Sequence, residues 1–367
     1  MTPQERFLAT YELKPVDRLI RQEFYIWGEA IERWKQEGLP EDWQERNLFG
    51  FDPSPVLGTS IDLGWCEAPF VPRHEVRVVE ERGPYEVEQD SAGRLVLFPK
   101  GIRHGVMPQY LKHVVTGWED WKADVEPRLN PKDATRWAAL ADHAKQLRES
   151  GALEEGVVQQ GFIGGYMHLR CLLGPEDLLY AFHDMPDLIH EVMRNWSELM
   201  DTAIAKVQEA LPLRILYMAE DIAYKTAMLI SPKTFREFLM PHYQQLVSNA
   251  RARTTEKVYF NVDTDGAADQ TIDLYLECGM TGMTPFEVAA GQDVVAIGRR
   301  YPELVMLGGI DKRVLAQGKR EIDRMLDTII PTMKARGGYI PHCDHGVPCD
   351  VSFENYMHYR TRIMELG

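Results

Sequence analysis

A chain of 367 residues, 44% hydrophobic and 26% charged, can bury a sizeable core and is not a low-complexity or disordered polymer. Its formal net charge of −15 excludes the broad basic face that nucleic-acid binding needs. No run reaches the roughly 18 apolar residues of a membrane span, and the opening Met1-Thr-Pro-Gln-Glu-Arg-Phe7 lacks the basic-then-apolar order of a secretory leader.

Five cysteines, Cys66, Cys171, Cys278, Cys343 and Cys349, are an odd, scattered set unlike a disulfide framework. A soluble cytoplasmic protein with reduced thiols is expected.

In chain order, the first two strand candidates are residues 18–25 and 58–65. Residues 74–100 then alternate polar and apolar side chains on both sides of Asp90-Ser-Ala-Gly93, which predicts an inserted antiparallel hairpin. A third strand is expected at 157–164, with helices at 175–184 and 186–211. Five more apolar runs follow, at 214–221, 258–266, 281–287, 304–312 and 338–346. Helical patterns separate them or follow the last, at 231–253, 268–278, 293–301, 312–336 and 351–365. Ser231-Pro232 reads as an N-cap with proline at the first helical position, and Gly279 as a helix stop.

Eight strands alternating with helices predict a (β/α)8 TIM barrel, with the hairpin as an insertion and additions at the N-terminus, in one domain spanning 1–367. The last five runs each end in acidic or histidine-bearing residues. In a parallel barrel those ends share one face, so they predict one polar site. Its candidate catalytic residues are Glu220, Asp263, Glu287 and His345. Glu220 and Asp221 are adjacent, so one is expected to face the axis and the other to cap a neighbouring segment. Candidate substrate contacts are Trp65, His168, Arg170, Tyr224, Lys225 and Asp311, several of which could equally serve packing or ion pairing.

Residues 221–232, 307–312 and 344–356 resemble the uroporphyrinogen decarboxylase superfamily, whose members include porphyrinogen decarboxylases and cobalamin-dependent methyltransferases built on a TIM barrel. In the decarboxylases a Met-Arg-Gln-Ala-Gly-Arg motif near the first strand holds a polycarboxylate. Here the matching stretch is Leu19-Ile-Arg21-Gln22-Glu23-Phe24-Tyr25, which keeps one Arg-Gln pair and adds an acid and aromatics. A polycarboxylate needs several cationic donors, and Glu23 opposes it. Asp62 stands roughly where the decarboxylases carry a catalytic aspartate. Zinc-dependent methyltransferases of this group carry His-x-Cys where Asn261-Val262-Asp263 stands, and a further Cys near His345, so the thiolate set is missing.

Asp263, His345 and Glu220 are the candidate ligands of a mixed oxygen and nitrogen zinc site, the alternative being a metal-free hydrogen-bonded cluster. The segment 261–272 opens like a calcium-binding loop but has Ile272 where the bidentate Glu belongs. Cys343 and Cys349 read as packing thiols, because neighbours on an extended segment point opposite ways.

The resemblance implies methyl transfer from a small methylated substrate, such as a methoxylated aromatic, to the Co(I) corrinoid of a separate partner protein. The chain shows no corrinoid domain of its own. A homodimer is the implied assembly. Two alternatives stay open: a metal-free decarboxylase or lyase acting through an aspartate such as Asp62, and a non-catalytic barrel that binds a corrinoid or tetrapyrrole.

Overall fold

The N-terminus folds first into a helix, Pro3–Tyr11, closed by a capping box in which Thr2 Oγ1 accepts from Glu5 N at 3.1 Å and Glu5 accepts from Thr2 N at 2.8 Å. In the computed structural model, which describes residues 1–102 and 108–367, the strands after it fall into two sheets. Chain order gives β1 (Val56–Leu57), then β2 (Arg77–Arg82), β3 (Tyr85–Gln89), β4 (Leu95–Pro99) and β5 (Gln109–Lys112). Next come β6 (Val157–Ile163), β7 (Leu213–Ala219), β8 (Tyr259–Thr264), β9 (Gly282–Pro285), β10 (Val305–Leu307) and β11 (Tyr339–Ile340).

The larger sheet is parallel, in the order β1-β6-β7-β8-β9-β10-β11. Its order follows the sequence, as expected when each strand returns through a helix. The sheet curls around an apolar cluster that takes Val157, Ile215, Tyr259, Val305 and Ile340 from five strands and is plugged by Phe7 and Tyr11 of the N-terminal helix. A much larger core fills the space between the sheet and the surrounding helices.

Six of the expected strands are found within a few residues of their predicted positions, and two expectations are corrected. Residues 18–25 form no strand; just after them Ile26 makes an isolated parallel bridge to Val347, in the loop beyond β11. Its polar side chains are engaged elsewhere, Arg18 pairing with both oxygens of Asp52 at 2.6 and 2.8 Å. Residues 58–65 likewise form no strand, and the pairing sits just ahead of them in β1. Positive φ at Ser60 (67°) and Gly64 (75°) turns the chain out of extended geometry.

The expected hairpin is present as β3 and β4, within a four-stranded antiparallel sheet of order β2-β3-β4-β5. The helix expected over 231–253 is two, Pro232–Phe238 and Met240–Ala252, because Pro241, in the first turn of the second, has no amide to donate back into the first. The one expected over 312–336 divides into Lys312–Leu315 and Lys319–Arg336 around Gly318, which sits at φ 142°. Ser231 does cap its helix, accepting from Thr234 N at 3.1 Å. Among the described residues, no helix is long and apolar enough to cross a membrane.

Candidate functional site

A cavity of about 780 Å³ opens where β6, β7, β8 and β9 end. Strand register brings its floor together: Ala219 pairs with Asp263, and Asp263 with Thr284, so three lining residues stand side by side. Phe7 and Tyr11 close the bottom from the N-terminal helix.

Asp263 is 8% exposed, and its Oδ2 accepts from the Tyr217 hydroxyl at 3.1 Å. Burial, reinforced by the negative charges of Asp265 and Asp221, pushes its carboxyl well above the usual range, which favours its protonated form. Asp265, two residues on, points into the same cavity. Burial and then repulsion from Asp221 and Glu287 bring it up to about 7. The alternation Asp263-x-Asp265 is what a strand end uses to place two acids on one face. Sequence reasoning took Asp265 for part of a failed calcium loop and missed it.

Glu220 lines the cavity, yet its oxygens are engaged. They accept from Tyr166 N and Met167 N, both at 3.1 Å, and from the Tyr243 hydroxyl. The two amides open the helix Gly165–Leu173, so the carboxylate clamps that helix N-terminus to the end of β7. A Cβ on Gly164 would collide with it. Burial pushes Glu220 up to about 7 against these three donors. Asp221 also reaches the cavity, with Arg170 Nη2 3.6 Å from its carboxylate.

His345 lines the rim. The Tyr25 hydroxyl lies 3.1 Å from its Nδ1, and Asp265 lies 3.6 Å from its Nε2. Burial and the nearby Lys312 lower its pKa, which leaves a neutral ring. His342, passed over in the sequence, lines the cavity too and is 1% exposed. Its Nδ1 donates to the Cys343 carbonyl at 2.7 Å, and burial holds its pKa down to about 4. Gly308, at φ 105°, leaves room for that ring: a Cβ there would stand 3.0 Å from His342 Cε1.

The other expected residues scatter. Trp65 lines the cavity and stacks on Tyr217 with centroids 5.7 Å apart. Glu287 sits behind the lining, accepting from Gly266 N at 3.1 Å and facing Lys312 Nζ at 3.4 Å. Asp311 caps the helix Lys312–Leu315 and pairs with Arg313 through both oxygens. His168 is fully buried, with both ring nitrogens unpaired, and lies off the cavity. Tyr224 and Lys225 are exposed on the loop after β7. Asp62 is on the surface beside Arg73.

Among the described residues, no three His, Cys, Asp or Glu side chains stand together as a metal-ligand group. Glu220 is saturated by its three donors and Asp263 is held by Tyr217, so with His345 they do not fit a zinc ion in this arrangement.

The lining has one electrostatic character. Five carboxyl groups (Glu23, Glu220, Asp221, Asp263 and Asp265) and seven Phe, Tyr or Trp side chains face it, and among the described residues neither lysine nor arginine does.

The family model for uroporphyrinogen decarboxylase (URO-D) matches residues 98–365. Among solved structures, a methyltransferase from Methanosarcina mazei is similar over 100% of this chain and 99% of its own, with TM-score 0.62 and 15% identity, which shows a shared fold. Xylanase B from Clostridium stercorarium F9 is similar over 60% of this chain and 76% of its own, at TM-score 0.34 and 9% identity, too distant to carry an argument. No curated protein sequence matches the chain.

Proposed function

Because the chain belongs to the uroporphyrinogen decarboxylase (URO-D) family, we propose that it is a cytoplasmic enzyme of that family's methyltransferase branch. It takes a methyl group from a small methylated compound bound in the cavity and passes it to the Co(I) corrinoid of a partner protein docked over the mouth. The fold it shares with the methanogen methyltransferase supports this reading, as does the barrel architecture that the seven parallel strands approximate. The observation that carries it over decarboxylation is the cavity lining. A polycarboxylate placed among five carboxyl groups, with no lysine or arginine among the described lining residues, would lack the paired cations such a ligand needs. Asp62, paired with Arg73 outside the cavity, is also badly placed to act as the lyase aspartate.

The docked corrinoid supplies the nucleophile. The protein supplies what the leaving group needs. As the methyl group departs, an electron pair returns to the atom that held it. Asp263, buried, hydrogen-bonded to Tyr217 and pushed toward its protonated form, is placed to give that atom a proton. His342, whose Nδ1 donates to the Cys343 carbonyl, keeps Nε2 as an acceptor on a ring that lines the cavity and can orient the donor.

The test is anaerobic mixing of purified protein with cob(I)alamin and a panel of methyl ethers, thioethers and methylated amines. Enzyme-dependent loss of the Co(I) spectrum with one class of donor is expected. Failure with every class, together with carbon dioxide release from a carboxylated substrate, would replace this reading with the lyase.

A further inference from the structure

The lining that argues against a polycarboxylate also describes what the cavity would attract. We propose that the methyl donor is a methylated ammonium cation, held between aromatic faces and carboxyl oxygens. This rests on the methyl-transfer reading and narrows its substrate class.

Three independent features converge. The walls include Trp65 stacked on Tyr217 at 5.7 Å and Tyr25 set edge-on to Trp27 at 5.0 Å. Aromatic faces attract quaternary ammonium groups through the ring quadrupole, most strongly where water is excluded. Asp263 is 8% exposed and has no cationic partner within ion-pair distance among the described residues, and the ion-pair contact of Asp265 beside it among them is with His345, 3.6 Å away. His342 is 1% exposed; its Nδ1 is spent on the Cys343 carbonyl, so a bare Nε2 lone pair remains on a ring that lines the cavity. Carboxyl oxygens, the free histidine nitrogen and ring faces all present negative potential. A neutral ether would leave Asp221 and Asp265 repelling each other across the cavity, whereas a monovalent cation relieves them.

The chemistry balances. The C–N bond breaks and its electron pair stays on nitrogen. The methyl carbon bonds to the acceptor through the acceptor's own electron pair, and the leaving group is a neutral tertiary amine. That amine is basic enough to take the Asp263 proton, which prevents it from recapturing the methyl group.

Binding can be read without a corrinoid, by calorimetry on the whole protein. The probes are tetramethylammonium chloride, choline chloride and the uncharged alcohol in which carbon replaces choline's nitrogen. Choline is expected to bind on the order of ten-fold more tightly than its carbon isostere, and Trp65→Leu and Asp265→Asn to lower choline affinity several-fold each. Both side chains are partly exposed, so the variants are expected to fold. Equal or tighter binding of the neutral isostere, or no binding of either cation, overturns the proposal. Cation binding without methyl transfer would sink the methyltransferase reading and leave the cation site standing. Methyl transfer from an ether without cation binding would do the reverse.

Discussion

Asp263 and Glu220 are both buried acids at strand ends, and their partners give them different work. Asp263 is buried, lies among like charges and accepts one hydrogen bond, which together favour a protonated carboxyl that chemistry can use. Asp263→Asn, which preserves shape and removes that proton, is expected to slow methyl transfer by about 100-fold or more while leaving the melting temperature nearly unchanged. Paired rate and melting measurements check this; an unchanged rate would remove Asp263 from the mechanism.

Asp265 yields a test by pH. Its pKa is raised to about 7, first by burial, so the folded state holds a proton that the unfolded chain releases near pH 4. The raised group therefore favours folding fully at low pH, and that contribution is lost as pH rises through 7. Denaturant unfolding at pH 5 and pH 8 should show wild type losing stability relative to Asp265→Asn. The opposite trend would mean that the carboxylate is compensated in the folded state.

These roles were only partly legible in the sequence. The acidic strand ends marked Glu220, Asp263 and His345, all of which reach the cavity, because burial of a run that ends in a charge is visible in one dimension. His342 and Asp265 were not chosen, since which of several adjacent polar residues faces inward depends on where the strand stops and how Gly308 lets the neighbouring ring approach.

At the scale of elements, Glu220 joins β7 to the helix Gly165–Leu173 by meeting two of the helix's four unpaired amides. Glu220→Ala would remove the carboxylate acceptor of Met167 N, Tyr166 N and the Tyr243 hydroxyl, leaving Tyr166 N its longer 3.4 Å bond to the Tyr243 oxygen, at a cost of about 3 kcal/mol. Glu220→Gln, which still offers one acceptor oxygen, should recover part of it. Chemical unfolding distinguishes these outcomes, and equal stability of wild type and the Ala variant would deny the clamp. Element boundaries followed backbone chemistry: Ser231-Pro232 was readable as a helix start, whereas the break at Pro241 was overridden in the sequence by apolar periodicity on either side. The missing strand at 18–25 has the same cause in reverse. Arg18, Arg21, Gln22 and Glu23 give it too little apolar surface for a fully paired interior strand, and the pairing that follows it is the isolated Ile26–Val347 bridge.

Over the whole molecule, the curled parallel sheet and its helices form the scaffold, and the N-terminal helix plugs one end so that the other end can hold an open cavity. Trp27, Trp65 and Tyr25 stand 43%, 45% and 36% exposed at that cavity, an apolar rim that suits the partner proposed to dock over the mouth. Family and strand–helix rhythm were readable because they rest on local motifs and strand-length apolar runs. The charge of the cavity was not, because it sums carboxyl groups from Glu23 to Asp265, which only the fold brings together.

The most direct measurement of the central claim is the stoichiometry of a single anaerobic turnover with cob(I)alamin and a methylated donor. Equal amounts of demethylated product formed and cob(I)alamin consumed, dependent on the enzyme and strongly reduced in Asp263→Asn, are the predicted result. Product formed with release of carbon dioxide and no consumption of cob(I)alamin would contradict the account.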